Sequence, residues 1–244
     1  MFYRRMLSFV AAVAVLMATT SATFAHSSGD SIKDKGKARI LTPVNIAILI
    51  QDDLISQVGN ELDLTRDFIR SLPAGSRVMV GYLTSGTLQT RQSFTADLEK
   101  AARSLRIPLG SQSASPFNPY VEVSEALRQF DSSWKGTNAV LLISDGLDVS
   151  RGFDSSAAGN TLDLHRAIKQ ANQRGVAIYS FYAPSVGLTS RSRLAASYGQ
   201  SSLNRLSNET GGKAFFQGST GFVSFDSHFR RLREALNAQY AMAN

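Results

Sequence analysis

Nearly unbroken runs of apolar residues divide the chain at regular intervals. The first is Val44–Ile50, and similar runs follow at Val78–Leu83, Val140–Ile143 and Val176–Tyr182. A strand has a continuous apolar sequence when both faces of its sheet are covered, as in parallel sheets flanked by helices. These runs, with a shorter one at Ala214–Phe216, therefore predict the strands of a covered, mostly parallel sheet.

Between these runs, apolar residues recur at helical spacing. Leu98, Ala101, Ala102 and Leu105 follow the i, i+3, i+4, i+7 pattern of an amphipathic helix, and Thr95 stands where an N-cap is expected. Further stripes of this kind predict helices at 62–72, 123–130, 164–171, 203–209 and 225–240. Strands that alternate with helices predict parallel β-α-β units.

One segment departs from this alternation of strands and helices. In Leu88–Phe94, apolar and polar residues alternate, and the segment follows Val78–Leu83 across Ser85 and Gly86. This pattern predicts a hairpin whose second, polar strand lies at the edge of the sheet. The predicted fold class is α/β, a three-layer, doubly wound, mostly parallel sheet with one antiparallel edge strand.

The N-terminal residues predict export. Arg4 and Arg5 precede an apolar run at Met6–Met17, and small residues then lead to Ala25. These features are typical of a signal peptide at residues 1–25, which would leave the protein in the periplasm or outside the cell. The apolar run is shorter than the ~20 residues of a membrane span. Retention of the segment as an N-terminal anchor is the alternative.

Composition bounds the remaining chain. Residues 26–43, which are rich in Ser, Gly and Lys, predict a flexible linker, and 44–240 then form one domain. The absence of cysteine excludes disulfides, thiolate metal sites and cysteine nucleophiles. The 26 basic residues exceed the 19 acidic residues, but the arginines are scattered, so the charge does not predict a nucleic-acid interface. An anionic envelope surface is the remaining partner that positive charge would favour.

Acidic residues follow two of the predicted strands. Asp52 and Asp53 come after Val44–Ile50, and Asp145 comes after Val140–Ile143. If the strand order reverses next to the first strand, both loops meet at one edge of the sheet. Carboxylate and hydroxyl oxygens suit Mg²⁺ or Ca²⁺. Helix capping by the first pair and a plain turn at Asp145 are the alternatives.

The order of these parts resembles that of von Willebrand factor type A domains, and especially of secreted bacterial proteins that contain them. The resemblance spans Val44 to about Tyr240. It rests on the first strand with its acidic end, the hairpin, the segment Val140–Gly146, and Leu206–Phe215, which has the family's L-x-x-x-T-G-G-x-x-F pattern. The resemblance implies a binding module with a metal-ion-dependent adhesion site, in which a divalent cation accepts an acidic group of the partner.

The sequence departs from the family's D-x-S-x-S ligand motif. In one register the motif becomes Gln51-x-Asp53-x-Ile55, and one residue later it becomes Asp52-x-Leu54-x-Ser56. The resemblance further implies a threonine ligand, for which Ser115 is the candidate, and an aspartate, which is Asp145. The resemblance therefore implies a degenerate site that binds Mg²⁺ or another divalent cation weakly or not at all. Its candidate ligands are Asp52, Asp53, Ser56, Ser115 and Asp145.

A serine hydrolase is the alternative from another functional class. Gly110–Ala114 approximates a nucleophile elbow around Ser113, but that elbow requires a strand before it and a helix after it. Prolines follow the segment instead. His165 and His228, the available bases beyond the linker, lie in helical patterns. The sequence therefore favours a protein without enzymatic activity.

The segment Tyr182–Gly199 is predicted to be a long loop on the same edge as the acidic residues. Long loops on a rigid edge often bind partners. Arg191, Arg193 and Tyr198 are the candidate partner-binding residues, and a plain crossover is the alternative. The predicted function is an exported, non-catalytic binding module for a protein or cell-envelope component. A metal-independent structural scaffold is the alternative.

Overall fold

The structure, a computed structural model, describes residues 39–134, 136–152, 161–216 and 223–243. Its centre is a six-stranded sheet in the order β3-β2-β1-β4-β5-β6. All neighbouring strands pair in parallel except β2 and β3. The strands are β1 (Val44–Gln51), β2 (Arg77–Thr84), β3 (Thr87–Thr95), β4 (Thr137–Ser144), β5 (Val176–Tyr182) and β6 (Ala214–Phe215). The predicted fold class is confirmed.

The central strands are apolar along their length because each face of the sheet is covered by helices. In β1, Ile46, Ile48 and Ile50 enter one core, whereas Ala47 and Leu49 enter the core on the other face. β4 divides its residues between the two cores in the same way. Alternate side chains point to opposite faces of a strand, so a two-sided core requires an apolar residue at each position.

Helices pack on both faces of the sheet. The first core takes residues of α2, α3 and α7, and the second takes residues of α4, α5 and α6. The helix bounds are α1 (Gln57–Asn60), α2 (Leu62–Arg70), α3 (Leu98–Arg103), α4 (Pro119–Leu127), α5 (Leu162–Gln173), α6 (Arg193–Glu209) and α7 (Asp226–Ala243). Within the described ranges, no helix combines the length and apolar character needed to cross a bilayer.

The predicted hairpin joins β2 to β3 across Ser85 and Gly86. Both turn residues have positive φ, 49° and 77°. This conformation gives a two-residue turn whose twist matches that of the strands it joins. β3 lies at the edge of the sheet, and most of its residues are at least partly exposed.

Two local predictions were wrong. The N-cap of α3 is Asp97, whose carboxylate accepts the backbone N–H of Lys100, while Thr95 accepts the N–H of Asp97. The helix predicted at 203–209 begins ten residues earlier, at Arg193, so the second half of the predicted loop Tyr182–Gly199 is helical.

The folded unit begins before the predicted end of the linker. Ile40 is buried, and Asn237 of α7 bonds with its side chain to the backbone of both Arg39 and Leu41. Residues 39–41, within the stretch predicted to be a linker, therefore contact the domain. The predicted signal peptide, the rest of the linker and His26 lie outside the described residues.

Candidate functional site

The candidate site lies where the strand order reverses. β1 and β4 are parallel neighbours in the centre of the sheet, with Ile50 opposite Ile143. Their connections leave to opposite sides, to β2 and to β5 respectively. The loops after the two strands therefore meet at the carboxyl edge of the sheet, as the sequence predicted, and such a point is where open α/β sheets bind ligands.

Gln51, the last residue of β1, connects the two loops. Its side-chain carbonyl oxygen accepts the hydroxyl of Ser144 and the backbone N–H of Asp145 at 3.1 Å. Its amide nitrogen donates to Oδ1 of Asp53 at 2.7 Å. Burial raises the pKa of Asp145, and a side-chain hydrogen bond with the same glutamine partly offsets that rise. The neutral amide of Gln51 thus interacts with both carboxylates.

Asp53 and Asp145 are buried carboxylates at the end of this edge. Burial, followed by the charge of Asp145, raises the pKa of Asp53 to about 6. Burial also raises the pKa of Asp145, although the backbone N–H of Leu147 and the hydroxyl of Thr189 donate to it at 3.0 Å each. Within the described residues, neither carboxylate forms an ion pair.

A cavity of about 360 Å³ opens over these two carboxylates. Ser115 borders it, and a hydrogen bond from its side chain partly offsets the rise that burial and the charge of Asp145 cause in the pKa of Asp53. Phe117, also on the wall, has φ = 60°, an unusual conformation for a bulky residue. The Phe117 carbonyl accepts the N–H of Val149 at 2.7 Å, so this backbone is tied to the loop after β4. The remaining wall is Gln51, Gln112, Pro116, Leu147, Val149, Ser185, Gly187 and Leu188.

Two candidate ligands lie outside this group. Asp52 is fully buried and forms a bidentate ion pair with Arg106, at 2.6 and 2.7 Å, and it also accepts the backbone N–H of Leu109. Ser56 is exposed and bonds to the neighbouring Gln57. Of the two registers, the structure therefore places Gln51 and Asp53, rather than Asp52 and Ser56, beside Asp145.

The donor set fits the family's divalent cation poorly. Gln51 directs an N–H group at Asp53, whereas a Mg²⁺ or Ca²⁺ ion needs oxygen ligands. Ile55, at the third position of the motif, packs against the apolar core. In the described part of the chain, no three acidic or histidine side chains form a group suited to a metal ion. A metal at Asp53, Ser115 and Asp145 remains a prediction.

The segment between β5 and α6 contributes to the site through residues that no sequence pattern predicted. Ser185 and Leu188 border the cavity, and Thr189 bonds to Asp145. Of the predicted partner-binding residues, Arg191 and Arg193 are exposed at the start of α6, and Tyr198 is half-buried one turn later. None of the three lines the cavity. Their role in partner binding stays a prediction.

Exposed apolar side chains gather at the same edge of the sheet. The described residues contain eight large apolar side chains that are exposed. One of them, Leu41, comes just before β1 in the sequence and therefore lies at the opposite edge of the sheet. The other seven lie in the α3–α4 and β5–α6 connections or in the first turns of α4, α5 and α6, at the carboxyl edge of the sheet. Two of them, Phe117 and Leu188, border the cavity. We call all seven the apolar rim: Ile107, Leu109, Phe117, Val121, Leu162, Leu188 and Leu194.

The surroundings of Ser113 do not form a nucleophile elbow. Ser113 lies in an exposed 3₁₀ turn, Gln112–Ala114, and its hydroxyl bonds to that of Ser111 at 2.9 Å. His228 is buried among Phe181, Phe215 and Phe225 in the core on one face of the sheet. His165 lies on α5. The described residues therefore bring no histidine to Ser113.

The fold defines the class of protein: a doubly wound α/β domain with its candidate site at the switch point. No family model matches the chain, and no curated protein matches it. Solved structures similar to it include an aerotolerance-related membrane protein from Bacteroides fragilis, with 14% identity, a TM-score of 0.54 and coverage of 80% of this chain and 99% of that chain. BatB from Bacteroides thetaiotaomicron has 16% identity and a TM-score of 0.55, with coverage of 82% and 99%.

A von Willebrand factor type A protein from Catenulispora acidiphila is also similar. It shares 15% identity with a TM-score of 0.51, and the match covers 79% of this chain and 42% of that chain. The chain therefore has the von Willebrand factor type A fold, and the resemblance found in the sequence is confirmed at that level. Identities this low show the fold and leave the ligand to be argued from the site.

Proposed function

We propose that the chain is an exported, non-catalytic binding module that docks a protein or cell-envelope component on the carboxyl edge of its sheet. The observation that carries the proposal is the apolar rim on the sheet edge that also holds the acidic cavity, which Phe117 and Leu188 border. Exposed apolar surface next to polar groups is typical of interaction sites. A purely structural scaffold would have no reason to concentrate seven such side chains at one edge.

The export part of the proposal rests on the sequence of residues 1–25. One of the structurally similar proteins is described as a membrane protein, which agrees with a location at the cell envelope. Fractionation of producing cells tests this part separately. The protein should appear in the periplasm or medium, and residues 1–25 should be missing from the mature N-terminus if the segment is cleaved.

Site-specific photo-crosslinking tests the docking surface. A photoreactive amino acid is placed at Phe117 or Leu188 on the apolar rim, and at Leu41 as the matched control. Leu41 is 77% exposed and lies at the opposite edge of the sheet. Irradiation of producing cells should give a discrete adduct from positions 117 and 188, and none from position 41.

A second variant separates docking from chance proximity. Asp145→Asn removes a carboxylate from the cavity while keeping its shape, and it should reduce the adduct formed from position 188. Circular dichroism verifies that the variant is folded. Equal adducts from all three positions, or none from the apolar rim, would contradict the proposed docking surface.

A further inference from the structure

The cavity holds more negative charge than its surroundings neutralise. Asp53 and Asp145 both border it, and none of the Lys and Arg side chains in the described ranges lines it. The nearest substitute for a cation is the amide of Gln51, which supplies hydrogen bonds but no charge. Buried carboxylates in proteins are ordinarily paired with a cation or a metal. The wild-type cavity therefore offers a cation an unusually favourable environment.

This inference rests on the proposed docking surface and specifies the chemistry of its partner. We propose that the cavity takes the ammonium group of a partner's lysine side chain directly, without a metal ion. The expected polarity is the opposite of the family's adhesion site, where a bound cation receives an acidic group. Here the domain supplies the carboxylates and the partner supplies the positive charge.

The hydrogen bonds already present at the carboxylates favour an ammonium over a guanidinium. One oxygen of Asp145 accepts the N–H of Leu147 and the other accepts the hydroxyl of Thr189. A guanidinium binds best when both oxygens of one carboxylate face its planar fork. An ammonium is a compact charge with three rotatable donors, so it fits between oxygens of different residues.

The apolar walls suit the methylene stem of a lysine. Phe117 and Leu188 border the cavity and are half-exposed, while Pro116, Leu147 and Val149 add apolar surface further along the wall. A lysine packs its four methylene groups against such surface while its charged end reaches polar partners. Burial, followed by the charge of Asp145, raises the pKa of Asp53, and a cation nearby would stabilise its ionised form against both effects.

The test uses n-butylammonium, which has the chemistry of a lysine side chain, as the probe on the purified protein. The side-chain amide signals of Gln51 and the backbone amide signal of Leu147 report binding in ¹H–¹⁵N spectra. Butylammonium should shift both signals saturably, and EDTA should not alter the effect. Methylammonium should bind more weakly because it lacks the stem, and butyrate should leave the signals unchanged.

Two isosteric variants localise the effect. Asp53→Asn should weaken butylammonium binding by roughly tenfold or more, since a charged hydrogen-bond partner is lost. Asp148→Asn, on the same loop as Asp145 but outside the cavity wall, removes one charge as a control and should bind as the wild type does. Equal effects of both substitutions would mean non-specific attraction and would overturn the inference.

Failure of this inference differs from failure of the docking proposal. If butylammonium leaves the signals of Gln51 unperturbed while crosslinks still form at Phe117 and Leu188, the docking proposal is supported and binding of a lysine in the cavity is excluded. The same holds if Mg²⁺ shifts the signals and then enables butyrate to bind. If the crosslinks themselves are missing, the docking surface falls and the inference falls with it.

Discussion

The backbone of Gly199 lies directly against the carbonyl oxygen of Asp145. A β-carbon on residue 199 would stand 1.9 Å from that oxygen, and one on Gly146 would stand 2.5 Å from the carbonyl oxygen of Gly199. Helix α6 therefore approaches the loop after β4 more closely than a helix with side chains at this point could. This contact fixes the position of one of the two cavity carboxylates.

Gly199→Ala should accordingly destabilise the fold and move Asp145. The added carbon meets backbone rather than a flexible side chain, so α6 or the loop must shift, at a cost of about 1–3 kcal/mol or more. Urea denaturation gives the change in unfolding free energy. The amide signal of Leu147, which donates to Asp145, reports the movement.

Gly59→Ala on α1 is the matched control. A β-carbon there meets only the side chain of Ile107, at 3.3 Å, and Ile107 is exposed. Alanine also favours helix, so this variant should be neutral or more stable by up to ~1 kcal/mol. Equal effects of the two substitutions would show that close packing at Gly199 is unimportant.

The same close contact explains where sequence-based prediction of the fold failed. The apolar runs predicted the five parallel strands because two covered faces impose an apolar residue at each position, and alternation predicted the exposed edge strand β3. The first turns of α6 were missed because their buried face consists of small residues, Ala195, Ala196, Gly199 and Ser202. These residues repeat at helical spacing, but they carry little hydrophobic signal. Their small size is what the approach to Asp145 requires.

The site was predictable only in part for a related reason. Strand ends placed Asp53 and Asp145 together, since the edge of a parallel sheet follows from topology. Adjacent residues such as Asp52 and Asp53 point in different directions, and composition does not say which one meets Arg106. The contribution of Thr189 and Phe117 depends on loop geometry, which has no periodic pattern in the sequence.

The ion pair between Asp52 and Arg106 should be strongly coupled to stability. Arg106→Met keeps the length of the side chain but leaves the fully buried Asp52 carboxylate without its counter-ion. Breaking one partner of a buried pair costs about 3–5 kcal/mol. Urea denaturation should show that Asp52→Asn combined with Arg106→Met costs much less than the sum of the single changes.

Arg103→Met is the control for a surface arginine. Arg103 pairs with Glu99 at 3.5 Å and is 66% exposed, so its loss should cost no more than ~1 kcal/mol. Additive effects in the Asp52 and Arg106 cycle would argue against a coupled pair. Asp52 would then be available for another role.

The free energy of unfolding should fall as pH rises because of Glu122 of α4. Burial, followed by the charges of Glu125 and Asp53, raises its pKa to about 9, from 4.5 for an exposed glutamate. Between pH 4.5 and 9, the folded state therefore keeps a proton that the unfolded state has already released. Across this window the group lowers the unfolding free energy by up to ~1.4 kcal/mol per pH unit.

Glu122→Gln mimics the protonated carboxyl and should remove this dependence. Its stability at pH 7 should exceed that of the wild type by roughly 2–3 kcal/mol. Glu125→Gln removes the same charge from the same helix but keeps the buried carboxyl, so most of the slope should persist. Urea denaturation from pH 5 to 8 decides between them, and parallel curves for wild type and Glu122→Gln would refute the prediction.

At lower pH, His228 should make the free energy of unfolding fall as pH decreases, which is opposite in direction to the effect of Glu122. Burial, followed by the charge of Arg231, lowers its pKa to about 4 from 6.5. The unfolded state therefore binds the proton first, and stability is lost as pH falls from 6.5 toward 4. His228→Phe, which suits the surrounding Phe181 and Phe225 rings, should abolish this loss. In the wild type the loss amounts to up to ~1.4 kcal/mol of unfolding free energy per pH unit.

Gln51→Asp should convert the cavity into a metal site. The substitution replaces the amide that donates to Asp53 by a third carboxylate beside Asp53 and Asp145, and it restores the first residue of the family's motif. A ligand that binds only the folded state raises stability by RT ln(1 + [L]/Kd), about 2.7 kcal/mol at a hundred times Kd. The variant's melting temperature should therefore rise saturably with Mg²⁺ or Mn²⁺.

Gln51→Asp combined with Asp145→Asn should lose the rise, whereas the wild-type melting temperature should be the same in EDTA and in millimolar metal. A saturable rise in the wild type would instead establish a divalent cation at Asp53, Ser115 and Asp145, and would exclude direct binding of a lysine in its place.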